Sequence, residues 1–231
     1  MKKLILLLAF FLIAGFCFAE DNAEQAAKPE FFNLEVTIGM PMHWTNSPTP
    51  HYDPNEDKFV TLNTAIGVAM NLNFGRTVGL TIDTDFFFGS DVAGHSNVDS
   101  TANSLSGFNL FIGPVFYLYS GSILRVPLAI GANLYYWSSD FWAGDQFSGA
   151  GNGGMWVKYS EMQIGPAFYL GLQFHFNESL YLLTRTNVAF DLYRWHNYSY
   201  KDSATTYVEE KESEFAFGLH VKPTFGIGVK F

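Results

Sequence analysis

Between Phe59 and Phe74 the chain alternates apolar with polar or small residues without a break. One face reads Val60, Leu62, Thr64, Ile66, Val68, Met70, Leu72, and the other Thr61, Asn63, Ala65, Gly67, Ala69, Asn71, Asn73. Successive side chains of a β-strand point to opposite faces, so the pattern predicts a strand with one apolar and one polar or small face. The stretch from Leu180 to Tyr193 repeats it, with Leu180, Leu182, Thr184, Thr186, Val188, Phe190 and Leu192 set against Tyr181, Leu183, Arg185, Asn187, Ala189, Asp191 and Tyr193. Extended along the chain, the same reading places strands at 31–40, 59–74, 78–88, 106–119, 123–137, 156–174, 180–193 and 214–231.

The polar face separates a soluble sandwich from a membrane barrel. A sandwich turns that face to water and fills it with Lys and Glu. Here it is rich in Gly, Ala, Asn, Thr and Tyr with isolated charges, which suits a crowded enclosed lumen, while the continuous apolar face suits lipid. Only a closed sheet crosses a bilayer, because an open edge leaves backbone groups unpaired in hydrocarbon. The expected fold class is therefore all-β, an eight-stranded antiparallel transmembrane β-barrel of up-and-down topology.

The connections follow the same plan. Long segments at 41–58, 89–105, 138–155 and 194–213 alternate with short ones at Gly75-Arg76-Thr77, Ser120-Gly121-Ser122 and around Asn177-Glu178-Ser179. Four long extracellular loops and three short periplasmic turns are predicted, with both termini periplasmic. Aromatic residues fall near predicted strand ends: Phe86, Phe88, Tyr136 and Trp137 outside, Phe32, Phe116 and Phe231 inside. Rings favour the headgroup level on both sides. Pro114, Pro166 and Pro223 lie inside strands paired on both flanks; proline removes a ladder hydrogen bond, so a repeated bulge or bend is expected at all three.

Composition adds a location. Hydrophobic residues make up 48% of the chain and aromatics 18%, yet no apolar run beyond residue 19 approaches the roughly 20 residues of a membrane helix. Lys2 and Lys3, the apolar run Leu4 to Phe16, and Ala19 before Glu20 have the layout of a secretory signal peptide. A lipoprotein signal at Cys17 is the rival reading, and the bulky Phe16 beside it argues against it. The expected division is a cleaved signal at 1–19, a polar periplasmic segment at 20–30 and the barrel at 31–231. Cys17 is the only cysteine, so the mature chain has no disulfide, thiolate nucleophile or cysteine metal site. Removing Lys2 and Lys3 takes the formal charge from −9 to −11, which disfavours nucleic acid as a partner.

The last strand carries Pro223, Phe225, Ile227, Val229 and Phe231 on one face. Phe225, Ile227, Val229 and Phe231 look like the C-terminal signal by which the barrel-assembly machinery recognises outer-membrane proteins. With the signal peptide and eight runs, the chain from residue 31 resembles small outer-membrane barrels of the OmpX, OmpA-barrel and OmpW type. The resemblance is one of architecture and carries over no individual functional residue. It implies outer-membrane lipid as the surroundings.

Chemistry is sparse. The predicted inward charges are Glu35, Asp83, Asp85, Arg125, Glu161, Arg185, Asp191 and Lys222, which read either as lumen ion pairs filling a narrow barrel or as the lining of a conduit. The loop aromatics Trp142, Phe147, Trp195, Tyr198 and Tyr200 are candidate contacts for an extracellular ligand or host molecule. His196, Ser199 and Asp202 are close enough in sequence to be imagined as a triad, but triads are recognised by geometry. His220 lacks the neighbouring serine of a lipid A deacylase. The glycine-rich run Gly149 to Gly154 links no strand to a helix and reads as loop. No spacing among the six histidines suggests a metal site, and no cofactor is expected. The leading expectation is a non-enzymatic envelope or surface-interaction protein. A narrow solute channel is the alternative, and a lipid-modifying enzyme the third reading.

Overall fold

The computed structural model describes residues 31–45, 59–75, 77–89, 104–143, 155–202 and 206–231. Nine strands follow one another: β1 Phe32–Gly39, β2 Met42–Thr45, β3 Phe59–Asn73, β4 Val78–Gly89, β5 Ser104–Ser120, β6 Leu124–Ala143, β7 Met155–His175, β8 Leu180–Asp202 and β9 Thr206–Lys230. Every pairing is antiparallel, and β9 closes the sheet onto β1. Both β1 and β2 pair with β3 and β9. Gly39 lies opposite Ala65 and Met42 opposite Leu62, so the register runs unbroken from one to the other. The two form a single stave interrupted at Met40-Pro41, where Pro41 has no N–H to give the ladder. The barrel thus has eight staves, and no helix occurs among the described residues.

The alternation sorts the faces. Outward positions include Ile66, Val68, Ile112, Ile130, Phe168, Leu182, Phe225 and Ile227, all exposed. An apolar belt of this kind on a closed sheet is solvated by lipid, not water. Inward positions such as Ala65, Ala69, Ala129 and Ala189 are buried. The predicted interface aromatics Phe86, Phe88, Phe116 and Phe231 project outward, but Trp137 does not. It packs inside with Ala65, Phe87, Leu105 and Tyr135, because it shares parity with Tyr135.

Short connections close as turn chemistry dictates. Gly75 takes φ 102°, which β-carbon sterics deny most residues. Asn177 Oδ1 accepts the backbone N–H groups of Ser179 and Leu180, each at 2.8 Å. The long connections differ from the sequence reading. The stave of β1 continues through Thr45, β6 runs on to Ala143, and β7 starts at Met155. The segment 194–213 is mostly β8 and β9 rather than loop, paired from Tyr193↔Phe215 to Asp202↔Thr206. Polar residues there matched loop composition, but backbone pairing beyond the apolar belt needs no apolar face.

The prolines correct a second expectation. At Pro166 the β7–β8 register shifts between Ile164 and Ala167, as a bulge requires. Pro114 and Pro223 stay in register with Leu80 and Thr186. Around Pro114 the β5–β6 ladder resumes at Val115↔Ala129 without slipping. Pro223 faces the break in the first stave, and its carbonyl accepts the Met40 N–H at 3.1 Å. Each proline weakens one flank, and one of the three, Pro166, lies opposite a bulge whose extra residue is on β8.

Candidate functional site

The enclosed bore holds the charged and titratable side chains, in two layers. Nearer the short turns, Arg185 on β8 donates to Glu35 on β1 at 2.7 Å and forms an ion pair with Asp83 on β4 at 2.8 Å. Counting staves, β8 and β4 stand well apart around the barrel, so one guanidinium ties two facing walls. Its five donors in a planar fork suit bridging two carboxylates. Lys222 on β9 pairs with Asp85 and lies 3.5 Å from Asp83. Glu35 also accepts from Tyr181 Oη at 2.8 Å and from Gln173 Nε2 at 2.9 Å. Asn109 Nδ2 donates to Asp85 at 3.3 Å, and Arg185 stacks over Tyr169 at 5.1 Å.

The second layer lies farther from the turns. His43 on β2 and His220 on β9 are register partners, and their rings stack 3.8 Å apart at 8°. The Nε2 atoms of His43 and His220 stand 3.4 Å and 2.7 Å from Oδ2 of Asp191 on β8. Tyr135 packs on both rings, and Gln163 Oε1 lies 3.1 Å from His220 Nε2. Arg194 pairs with Glu214 and lies 3.9 Å from Glu161. Between the layers is a cavity of about 20 Å³ lined by Pro41, Asp85, Asn133, Tyr135 and His220 among others. It has room for about one water molecule. Eight strands leave a bore that side chains can fill, and here aromatic and charged groups fill it.

The eight charges singled out in sequence, Glu35, Asp83, Asp85, Arg125, Glu161, Arg185, Asp191 and Lys222, are all buried in this bore. Glu35, Asp83, Asp85, Arg185, Asp191 and Lys222 meet an opposite charge or an imidazole in the contacts above. Glu161 reaches Arg194, and Arg125 sits over Tyr117 at 5.7 Å. The sequence reading missed Arg194, His196 and His43, which it assigned to loops. Its parity holds through the outward Leu192 and fails beyond it: Tyr193, expected inward, packs on the exposed Trp195 and Phe215, and Arg194 and His196 turn inward. The cause is the shift in register there, against both β7 and β9. The signal for His43 was its alternation with Met42 and Trp44 past a proline.

The remaining candidates lie apart. Phe225, Ile227, Val229 and Phe231 all face outward. Trp142, Trp195, Tyr198 and Tyr200 stand on β6 and β8, not in loops, and Trp195 projects outward against Tyr193 at 4.4 Å. Phe147, the glycine run 149–154 and the segments 1–19 and 20–30 lie outside the described residues. His196 is buried while the odd-numbered Trp195 beside it is exposed. Ser199, an odd number of residues away on an unbroken ladder with β9, faces away from His196. The imagined triad is therefore not formed.

No family model matches the chain, and no curated protein sequence is significantly similar to it. Solved structures do share its fold. The outer membrane protein OprG from Pseudomonas aeruginosa aligns with a TM-score of 0.54 and 13% identity over 90% of this chain and 98% of its own. A major outer membrane protein from Thermus thermophilus gives 0.54 and 12% over 87% and 99%. Ail of Yersinia pestis gives 0.46 and 13% over 87% and 99%. The chain has the architecture of the small bacterial outer-membrane β-barrels.

Proposed function

We propose that this chain is an integral outer-membrane protein with a plugged lumen, which acts by holding β-structure at the cell surface and neither conducts solutes nor catalyses a reaction. The observation that carries this reading is the cross-bore bridge from Arg185 to Asp83 at 2.8 Å, beside a cavity of only about 20 Å³. A conduit needs a continuous water path, and here paired side chains occupy it. The strands β8 and β9 are 23 and 25 residues long, whereas about 9–11 tilted residues cross a bilayer. Because the turn at Asn177 is short, the surplus projects from the opposite end. With that end outward, the termini and short turns are periplasmic, and Trp142, Trp195, Tyr198 and Tyr200 stand where a ligand or host molecule can meet them. Phe225, Ile227, Val229 and Phe231 then serve recognition by the barrel-assembly machinery. The test is solute flux. Vesicles carrying the folded protein should swell in a small sugar no faster than empty vesicles, and swelling well above that control would favour the channel reading.

A further inference from the structure

Arg125, His175 and Lys230 stand at the mouth of the bore on the side of the short turns. His175 and Lys230 are the last residues of β7 and β9, and Arg125 is the second of β6. Register sets Arg125 opposite Gln173, two residues before His175, and sets His175 opposite Tyr181. The Tyr181 ring centroid lies 5.0 Å from that of His175 and 6.0 Å from Lys230 Nζ. Arg125 and Lys230 both lie close enough to act electrostatically on the His175 ring.

The mouth differs from the layers deeper in the bore. Among the described residues the buried carboxylates are Glu35, Asp83, Asp85, Glu161 and Asp191, and each lies farther from the turn end along its strand than these three groups. The mouth is therefore basic, in a chain of formal charge −9, while the deeper bore is mixed in sign. Both imidazole nitrogens of His175 are buried and meet no hydrogen-bond partner among the described residues. The same holds for Nδ2 of Asn33, the register partner of Lys230. Buried donors without acceptors are costly, so the mouth has donors to offer a ligand. Access is retained: Arg125, His175 and Lys230 are 7%, 8% and 8% exposed, against 0% for Asp83 and 2% for Glu35 behind them.

We propose that Arg125, His175 and Lys230 form a binding site for one phosphate group at this mouth. A guanidinium fork grips two oxygens of a phosphate, and the ammonium adds a compact charge from β9. Donors converging from three staves match a tetrahedral oxyanion, whose oxygens accept from several directions, better than a planar carboxylate. The group comes either from a free phosphate or from a lipid headgroup. The anchoring reading supplies only the compartment, the periplasm; the site itself is compatible with an open or a plugged bore.

The experiment is isothermal titration calorimetry of the full chain, folded in an uncharged detergent. One arm uses inorganic phosphate, and the other glycerophosphoglycerol, the headgroup of phosphatidylglycerol without its acyl chains. One phosphate group per chain is expected to bind in at least one arm. Tighter binding of inorganic phosphate assigns the site to a free anion, and tighter binding of the headgroup to a lipid. Arg125→Gln and Lys230→Gln should each weaken binding by about tenfold or more, as the loss of a charge-assisted hydrogen bond requires. Lys158→Gln, which alters an exposed lysine near the opposite end of β7, should leave binding unchanged. Heat-modifiable gel migration verifies that each variant is folded. Should a variant fail to fold, competition on the unaltered protein gives a second readout: sulfate should displace phosphate, and chloride at the same ionic strength should not. No saturable binding in either arm, full binding in both Gln variants, or displacement by chloride would overturn the site.

Discussion

Arg185 and Asp83 join facing walls of the barrel through a 2.8 Å ion pair between side chains that are both almost fully buried. The same guanidinium reaches Glu35, so removing it takes the paired cation from Glu35 and leaves Asp83 only Lys222 at 3.5 Å. Breaking a buried pair by deleting one partner typically costs about 3–5 kcal/mol. Arg185→Ala should therefore lower stability by about that amount in urea titrations of the vesicle-embedded protein. Arg185→Lys should recover only part of the loss, since an ammonium lacks the planar fork that reaches both acids.

Tyr181 lies over its register partner Gly228 on β9, where an added β-carbon would fall 2.0 Å from Cζ of the ring. An aromatic ring covering a glycine on the next strand is a known way to stabilise curved sheets. Gly228→Ala displaces the ring and with it the 2.8 Å hydrogen bond to Glu35. The expected loss is about 1–3 kcal/mol, from the lost hydrogen bond to a charged acceptor and the overpacking. Pairing the change with Tyr181→Phe should give less than the sum of the two single losses, because both act on one hydrogen bond.

Phe231 meets Phe32 across the closing seam, ring centroids 5.6 Å apart, and its N–H donates to the Phe32 carbonyl at 2.9 Å. If Phe231 also serves as an assembly signal, Phe231→Ala should reduce the folded, heat-modifiable fraction in cell membranes several-fold. Refolding of the purified variant in detergent should stay close to normal. Equal losses in both settings would reduce Phe231 to a packing role.

The wall of this barrel was legible in the sequence because lipid imposes one apolar face on every crossing strand, and period-two alternation records it. Val68 and Ile66 against Ala65 and Ala69 show this on β3, where these residues fall on their expected faces. Where lipid stops, the record stops. Arg194 and His196 sit on a strand extension whose outer face needs no apolar residues, so polar composition read as loop. Parity fails where a ladder gains a residue, as near Leu192, since nothing in the residue types marks the extra one. His43 was lost because Pro41 signals an ending, and the chain instead resumes the same stave at Met42. The His43–His220–Asp191 cluster combines three distant segments through register, which single-sequence spacing does not encode.

The most direct test of the plugged lumen is single-molecule conductance of the folded protein in a planar bilayer, measured beside an Arg185→Ala, Lys222→Ala double variant. The unaltered protein is predicted to be silent, and the double variant, stripped of both cations that tie β8 and β9 to β4, to show intermittent small steps. Discrete and reproducible steps from the unaltered protein, with an ion selectivity that the double variant changes, would contradict the plugged bore.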